Sequence, residues 1–338
     1  MSPWLSDSEK YALIALEVRV DQHTPLLREV AVGYWAWTYV PLKVPLYWRE
    51  WLGTIQTEAI ENSNLILLCK TPTKTSAVLD AENELLKRRV WGFYIGLLLS
   101  STFTLDRPPV MLTGAQTDGE WDIRQQNSLD LSSANLIRAF AGVHVDEVGQ
   151  AARFGGVQEQ LIVSPPLGGP WRLLRVLQVY VAARQTREVV DRLHQFCRCI
   201  DGLILSEPGK GAKQFKSRTE LFIGPRHHEL MGQLYKMRSD IEHLHEHKYL
   251  EVFDRLTRLD LAEKAAIAEH IARYALGHIL STSALWPHFG NSTNLASFWQ
   301  LNPADRQKLW GPAMINPADA IAGYDPDTIS DIDLGKRP

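Results

Sequence analysis

Two hydrophobic rhythms divide the chain. In the first half the apolar positions come in short, dense runs. "KYALIALEVRV" (10–20) and "EVAVGYWAWTYV" (29–40) are rich in β-branched and aromatic residues and read as strands. "LILLCK" (65–70) is a third candidate. "PPVMLTGAQTDGEWDIRQQ" (108–126) reads as a hairpin, because Asp118-Gly119 lies between two strand-like runs. Between these runs, "AVLDAENELLKRRVWGFYIGLLL" (77–99) reads as a long helix with acids early and basic residues later. This half is therefore α+β.

A Pro/Gly cluster, "SPPLGGP" (164–170), breaks helix and strand alike and marks a linker. Beyond it the period changes to that of helices. "PWRLLRVLQVYVAARQ" (170–185) spaces Trp171, Leu174, Leu177 and Val181 three and four apart. "REVVDRLHQFCRCIDGLIL" (187–205) places Val190, Leu193, Phe196 and Ile200 on one stripe, and "LAEKAAIAEHIARYALGHIL" (261–280) is a further amphipathic helix. "SEPGKGAKQFKSR" (206–218) reads as a loop entering another helix. The expected organisation is an α+β domain over 1–165, an all-α bundle over 170–310, and a Pro/Asp/Gly-rich tail over 311–338, extended or partly disordered.

Composition narrows the function classes. The chain has 338 residues, 45% of them hydrophobic and 22% charged, with a net charge of −3, so any nucleic-acid binding must come from a local patch. The most apolar run, "VWGFYIGLLLSSTFTL" (90–105), follows "KRR" but is shorter than the roughly 18–20 residues a membrane span needs. It reads as a buried core helix. The N-terminus lacks a signal-peptide pattern. Cys69, Cys197 and Cys199 form no disulfide framework, and Cys197-x-Cys199 is too tight for paired zinc ligands. These features together point to a cytoplasmic protein with idle thiols. No P-loop, dinucleotide fingerprint or serine-hydrolase elbow occurs, and no cofactor is called for.

The chemistry concentrates in "YKMRSDIEHLHEHKYL" (235–250). One reading is metallic. His243-Leu244-His245-Glu246-His247 holds the H-x-x-E-H pattern of a zinc hydrolase, with His243 and His247 as ligands and Glu246 as base. A third ligand would have to come from Glu263, Glu269 or His270. The other reading pairs Arg238 with His243. Cutting RNA without metal requires a base for the ribose 2′-OH, an acid for the leaving 5′-oxygen and a cation for the phosphorane. Histidine serves either proton step near neutral pH, and arginine offers phosphate a planar fork. Residues five apart on a helix are about 500° apart in rotation, some 140° from a common face, so a single motif makes only half a site.

"FCRCIDGLILSEPGKGAKQFKSRTELFIG" followed by "LYKMRSDIEH" resembles the HEPN domain in its ApeA-like branch, over about residues 170–285. The shared features are a helix, a Lys/Gly loop, F-K-x-R, then R-x4-H on a late helix. The resemblance implies a HEPN-like bundle, a homodimer with a composite site at its interface, and metal-independent RNA endonuclease activity. It also implies a role in microbial antiviral defence or toxin-like RNA cleavage, with residues 1–165 as sensor or regulator. Arg238 would stabilise transition-state charge, His243 would act as base or acid, and Ser239 and Asp240 would orient the pair. Active family members commonly carry Asn, Asp or His after the arginine, where this chain has Ser239. RNA is the expected partner and a membrane is not. Lys210, Lys213, Lys216, Arg218 and Lys236 are the candidate RNA contacts, in a stretch (206–238) with seven basic residues against three acids. Arg218 could instead brace the bundle, and Phe215 and Tyr235 read as core. A non-catalytic module binding RNA or a protein partner is the main rival.

Overall fold

A computed structural model describes residues 5–6, 8–21, 26–39, 42–73, 80–117, 120–134, 137, 142–243, 254–331 and 334. The chain forms two compact units, Met1–Ser133 with Phe140–Gln160, and Ala134–Ala139 with Leu161–Pro338. The first holds an antiparallel six-stranded sheet and the second is helical.

In the first unit β1 (Glu9–Leu16), β2 (Leu26–Ala31), β3 (Tyr34–Thr38), β4 (Leu65–Pro72), β5 (Val110–Thr117) and β6 (Glu120–Ser128) pair in the order β2-β3-β4-β1-β5-β6. Central β1 is buried on both faces, which explains its unbroken apolar run. Tyr11, Leu13 and Ala15 join Trp37, Ile66, Leu68, Leu112 and Ile123 in one core, covered by α1 (Leu46–Glu61) through Ala59 and Ile60. The opposite face carries Lys10, Ala12 and Ile14 toward α2 (Ala81–Ser100), whose Phe93 stacks edge-on against Tyr34. The two edge strands are blunted by register shifts, at Glu29/Ala31 in β2 and opposite Thr113/Gly114 for β6.

The stretch expected as one strand over 29–40 is a hairpin. The chain turns at Val32-Gly33, with Gly33 at φ +75, a region open chiefly to glycine. The expected hairpin over 108–126 forms as β5 and β6; its Asp118-Gly119 turn lies outside the described residues. Helix α2 starts on Asp80, whose carboxylate accepts from the Glu82 and Asn83 backbone N–H groups. Its apolar half is core, with Val90, Phe93, Tyr94, Leu97 and Leu98 fully buried. Among the described residues no helix is long and apolar enough to cross a membrane.

Two helices have no clear signal in the sequence. α1 is interrupted by Gly53, which is not helical (φ 76, ψ 170), so its stripe is broken. α3 (Val145–Val163) is weakened on paper by Gly149, Gly155 and Gly156. A glycine on each helix, Gly96 of α2 and Gly155 of α3, lets the two approach closely. A Cβ on Gly96 would lie 2.1 Å from the Ala151 carbonyl oxygen, and one on Gly155 would lie 3.0 Å from the Phe93 nitrogen. Both obstacles are backbone, so neither can swing aside. Gly96→Val is expected to destabilise the first unit by about 1–3 kcal/mol, the range for overpacking a tight contact. Urea titration followed by tryptophan fluorescence measures it, and an unchanged midpoint would refute the close approach.

In the second unit α4 (Trp171–Gln185), α5 (Val189–Ile204) and α8 (Arg255–Ser281) pack together. α6 (Gly211–Ile223) and α7 (His228–Glu242) join α5, and α9 (Trp286–Phe289), α10 (Ser292–Gln300) and α11 (Pro303–Trp310) follow α8. Of the α5 stripe Leu193, Phe196 and Ile200 are buried as read, and Val190 is half-buried. In α4 Leu177 and Val181 are buried as read, but Leu173, Val176 and Tyr180 complete the buried face while Leu174 is half-buried and Trp171, at the first helical position, is 57% exposed. The tail departs from the extended chain expected. Residues 317–320 and 326–328 form 3-10 turns begun by Asn316 and Asp325 side chains. Asp331 pairs with Arg255 and Arg258 of α8, Tyr324 hydrogen-bonds Glu263, and Ile329 and Leu334 pack on Leu259 and Ala262. A short apolar seam and two arginines thus order a segment whose composition reads as loop.

Candidate functional site where α5 meets α7

α5 offers polar groups on a mostly apolar surface. His194 and Asp201 are seven residues apart, two helical turns, and so share an azimuth. α7 follows a 3-10 turn at Pro225–His227. It buries Met231 and Leu234 and presents Arg238 and Glu242, each one turn beyond the last, to α5. Cys197 lies in this seam, its thiol donating to the Leu234 carbonyl at 3.9 Å. Burial pushes the Cys197, Cys199 and Cys69 thiols far up, so all three are packing groups that stay protonated.

Arg238 does not reach for His243. Its Nη2 lies 3.0 Å from Asp201 Oδ2, with the two side chains 26% and 18% exposed. Its Cζ is 5.8 Å from the centre of the Tyr235 ring. Its Nε is out of solvent with no hydrogen-bond acceptor among the described residues. Burial pushes the Asp201 carboxyl up; the charge of Arg238, a hydrogen bond from Ser206 Oγ (3.3 Å) and the charge of Arg172 oppose that. Arg172 is itself fixed, donating from Nε to the Gly202 carbonyl (2.8 Å) and from Nη1 to Ser292 Oγ (3.0 Å), and burial lowers its pKa.

His243 is the residue just past α7, exposed, with its N–H on the Ser239 carbonyl at 3.1 Å. Ser239 thus meets His243 through its backbone. Ser239 and Asp240 are half-buried on the last turns of α7. Glu242, between Asp240 and the cap, pairs with His194 Nε2. His245, Glu246 and His247 lie outside the described residues, and among the described residues no three His, Cys, Asp or Glu side chains are placed to hold a metal.

The basic strip divides by use. Arg218 closes the end of α5: Leu205 is left-handed (φ 49), and Arg218 Nη1 donates to the helix-end carbonyls of Ile204 (2.8 Å) and Leu205 (2.5 Å). It also pairs with Glu207 and lies over the Trp299 ring, as its reading as a brace of the bundle expects. Lys210 pairs with the same Glu207 at 2.7 Å. Lys216 lays its stem along Gly232, where a Cβ would meet Lys216 Cδ at 3.5 Å. Lys213 and Lys236 are exposed and make no ion pair among the described residues. Phe215 is fully buried, in keeping with its core reading, against a half-buried Tyr235, ring centres 5.6 Å apart.

Asp201, His194 and Arg172 are the residues that sequence reasoning passed over. The signal was present in α5, as two polar residues two turns apart beside the apolar stripe. Its partner helix could not be identified without coordinates. No protein-family model matches the chain, and neither does any curated protein or solved structure, so a functional reading has to stand on this geometry.

Proposed function

We propose that the helical unit is a HEPN-like domain and that the protein is a metal-independent RNA endonuclease, acting as a homodimer in antiviral defence or toxin-like RNA cleavage. The observation that carries the reading is the state of Arg238. Its guanidinium has five N–H donors and, among the described residues, one ion pair and no acceptor at Nε, so it is fixed in place with donors to spare for a phosphate. His243 stands exposed one residue beyond the helix, on a different azimuth. A second copy would bring its own His243 to the first copy's Arg238. One histidine takes the 2′-OH proton as the 2′-oxygen bonds to phosphorus. The P–O5′ bond breaks, and a protonated histidine gives its proton to the leaving 5′-oxygen. The products are a 2′,3′-cyclic phosphate and a 5′-hydroxyl. Lys213 and Lys236 are the surface charges best placed to follow the RNA backbone.

The full-length protein is expected to cleave single-stranded RNA in EDTA. His243→Ala should reduce the rate at least about 100-fold, the scale of losing a general acid–base group, with the circular dichroism spectrum unchanged. Cleavage that needs added metal would overturn the reading. A second reading has its own observation: Arg238 is paired inside its own bundle with Asp201, as a structural brace would be. On that reading the protein retains RNA, or a protein partner, with no product in either wild type or variant.

A further inference from the structure

The α5–α7 seam is joined twice. Besides Asp201 and Arg238, His194 on α5 pairs through Nε2 with the Glu242 carboxylate. The His194 side chain is only 14% exposed, and α5 is packed by α4, α7 and α8, so the anchor is the rigid partner. Glu242 is the last residue of α7, and His243 is its cap.

Glu242 is an unfavourable residue at that place. A helix ends in the negative pole of its dipole, where a carboxylate is repelled, and the last turn of α7 contains no basic residue. The hydrogen bond from His194 is the foremost influence holding the Glu242 carboxyl below its usual range; the charges of His194, Arg238 and Arg198 add to it. The helix end therefore has a side-chain tie to α5 in addition to its own backbone bond from the His243 N–H to the Ser239 carbonyl. Helix ends left alone fray, because their last carbonyls lack partners, and they open at almost no free-energy cost. A histidine that follows directly on such an end shares its disorder.

We propose that His194 is a positioning residue for His243: acting through Glu242, it fixes the final turn of α7 and with it the bearing of the histidine that caps the helix. Its consequence for catalysis rests on the nuclease reading given above; its effect on the order of His243 does not. The opposed pairs, acid on α5 with base on α7 at one rung and base on α5 with acid on α7 at the other, also fix the register of the two helices.

The test uses the full chain with His194→Gln, Glu242→Gln and His194→Arg. His194→Gln keeps a side-chain donor without the imidazole, Glu242→Gln removes the acid, and His194→Arg places a permanent cation opposite Glu242. Proton–nitrogen NMR follows the His243 amide and ring. In both Gln variants the His243 amide is expected to exchange about tenfold faster, as for a frayed end, and its ring signals to move toward those of free histidine. His194→Arg should return the amide to near the wild-type rate. In the RNA cleavage assay the Gln variants should lose about tenfold in kcat at unchanged KM, the signature of a misplaced group. Unchanged His243 exchange and ring signals in both Gln variants would overturn the proposal. If the wild type cleaves no RNA, the nuclease reading fails, and the NMR result alone decides whether His194 positions His243.

Discussion

Glu269→Ala is expected to cost the helical unit about 3–5 kcal/mol, the usual consequence of leaving a buried charge without its partner. Glu269 on α8 and Arg184 on α4 are 1% and 0% exposed, with Oε1 and Nη1 3.4 Å apart. Arg192 on α5 is also buried, donates to the Ala134 carbonyl at 2.8 Å, and feels both the attraction of Glu269 and the repulsion of Arg184. Tyr180 belongs to the same group; burial pushes its pKa up to about 12, and the Glu269 charge adds to that. Removing Glu269 thus deprives two buried guanidinium groups of one carboxylate. Solvent cannot relieve them, because they sit where three helices meet. A double variant, Arg184→Met with Glu269→Leu, should recover much of the loss, since apolar side chains of similar volume often replace a buried pair at little cost. Equilibrium urea unfolding followed at 222 nm distinguishes the two. A single-variant loss below about 1 kcal/mol would show that water or rearrangement relieves the charge.

How far the sequence told this story depends on the kind of signal each element carries. β1 and α2 were legible because burial on every side leaves an apolar run or a capped, acid-to-base helix. The hairpin at Val32-Gly33 was concealed because the aromatic residues of β3 continue the β-rich composition of β2 across the turn. α3 was concealed because Gly155, which lowers helix propensity, is there for the contact with α2. The C-terminal tail was misjudged from composition, since what orders it is Asp331 with two arginines far back in the chain. At the site, the Arg238 and His243 spacing was visible and the partners were not. Asp201 and His194 are ordinary polar residues in sequence, and only the α5–α7 packing makes them neighbours of Arg238 and Glu242. Arg218 is the converse case. It read either as part of a basic strip or as an acid-paired brace of the bundle, and its pair with Glu207 and its fork on the Ile204 and Leu205 carbonyls, at the left-handed end of α5, match the brace.

Arg238→Lys separates the brace from the catalyst. Lysine keeps a positive charge for Asp201, so the half-buried carboxylate retains a counter-ion and stability is expected to change by less than about 1 kcal/mol. It lacks the planar fork, and it cannot hold Asp201 and offer a fixed pair of donors to phosphate at once. RNA cleavage should therefore fall by about 10²–10³-fold, the range for losing one preorganised donor to transition-state charge. Arg238→Ala should lose as much activity and more stability, because Asp201 then remains 18% exposed with its carboxyl pushed up and its ion-pair partner gone. Two inactive proteins give the decisive comparison. Arg238→Ala and His243→Ala, unfolded together and refolded as a mixture, form dimers in which one cleft holds an intact arginine from one copy and an intact histidine from the other. Partial activity should return in the mixture and in neither parent alone. If the mixture stays inactive while the wild type cleaves RNA, the site is contained in a single chain, and the contribution of a second copy is wrong. If Arg238→Lys keeps full activity, the guanidinium serves only to hold Asp201, and α7 is a structural helix whose arginine closes the seam.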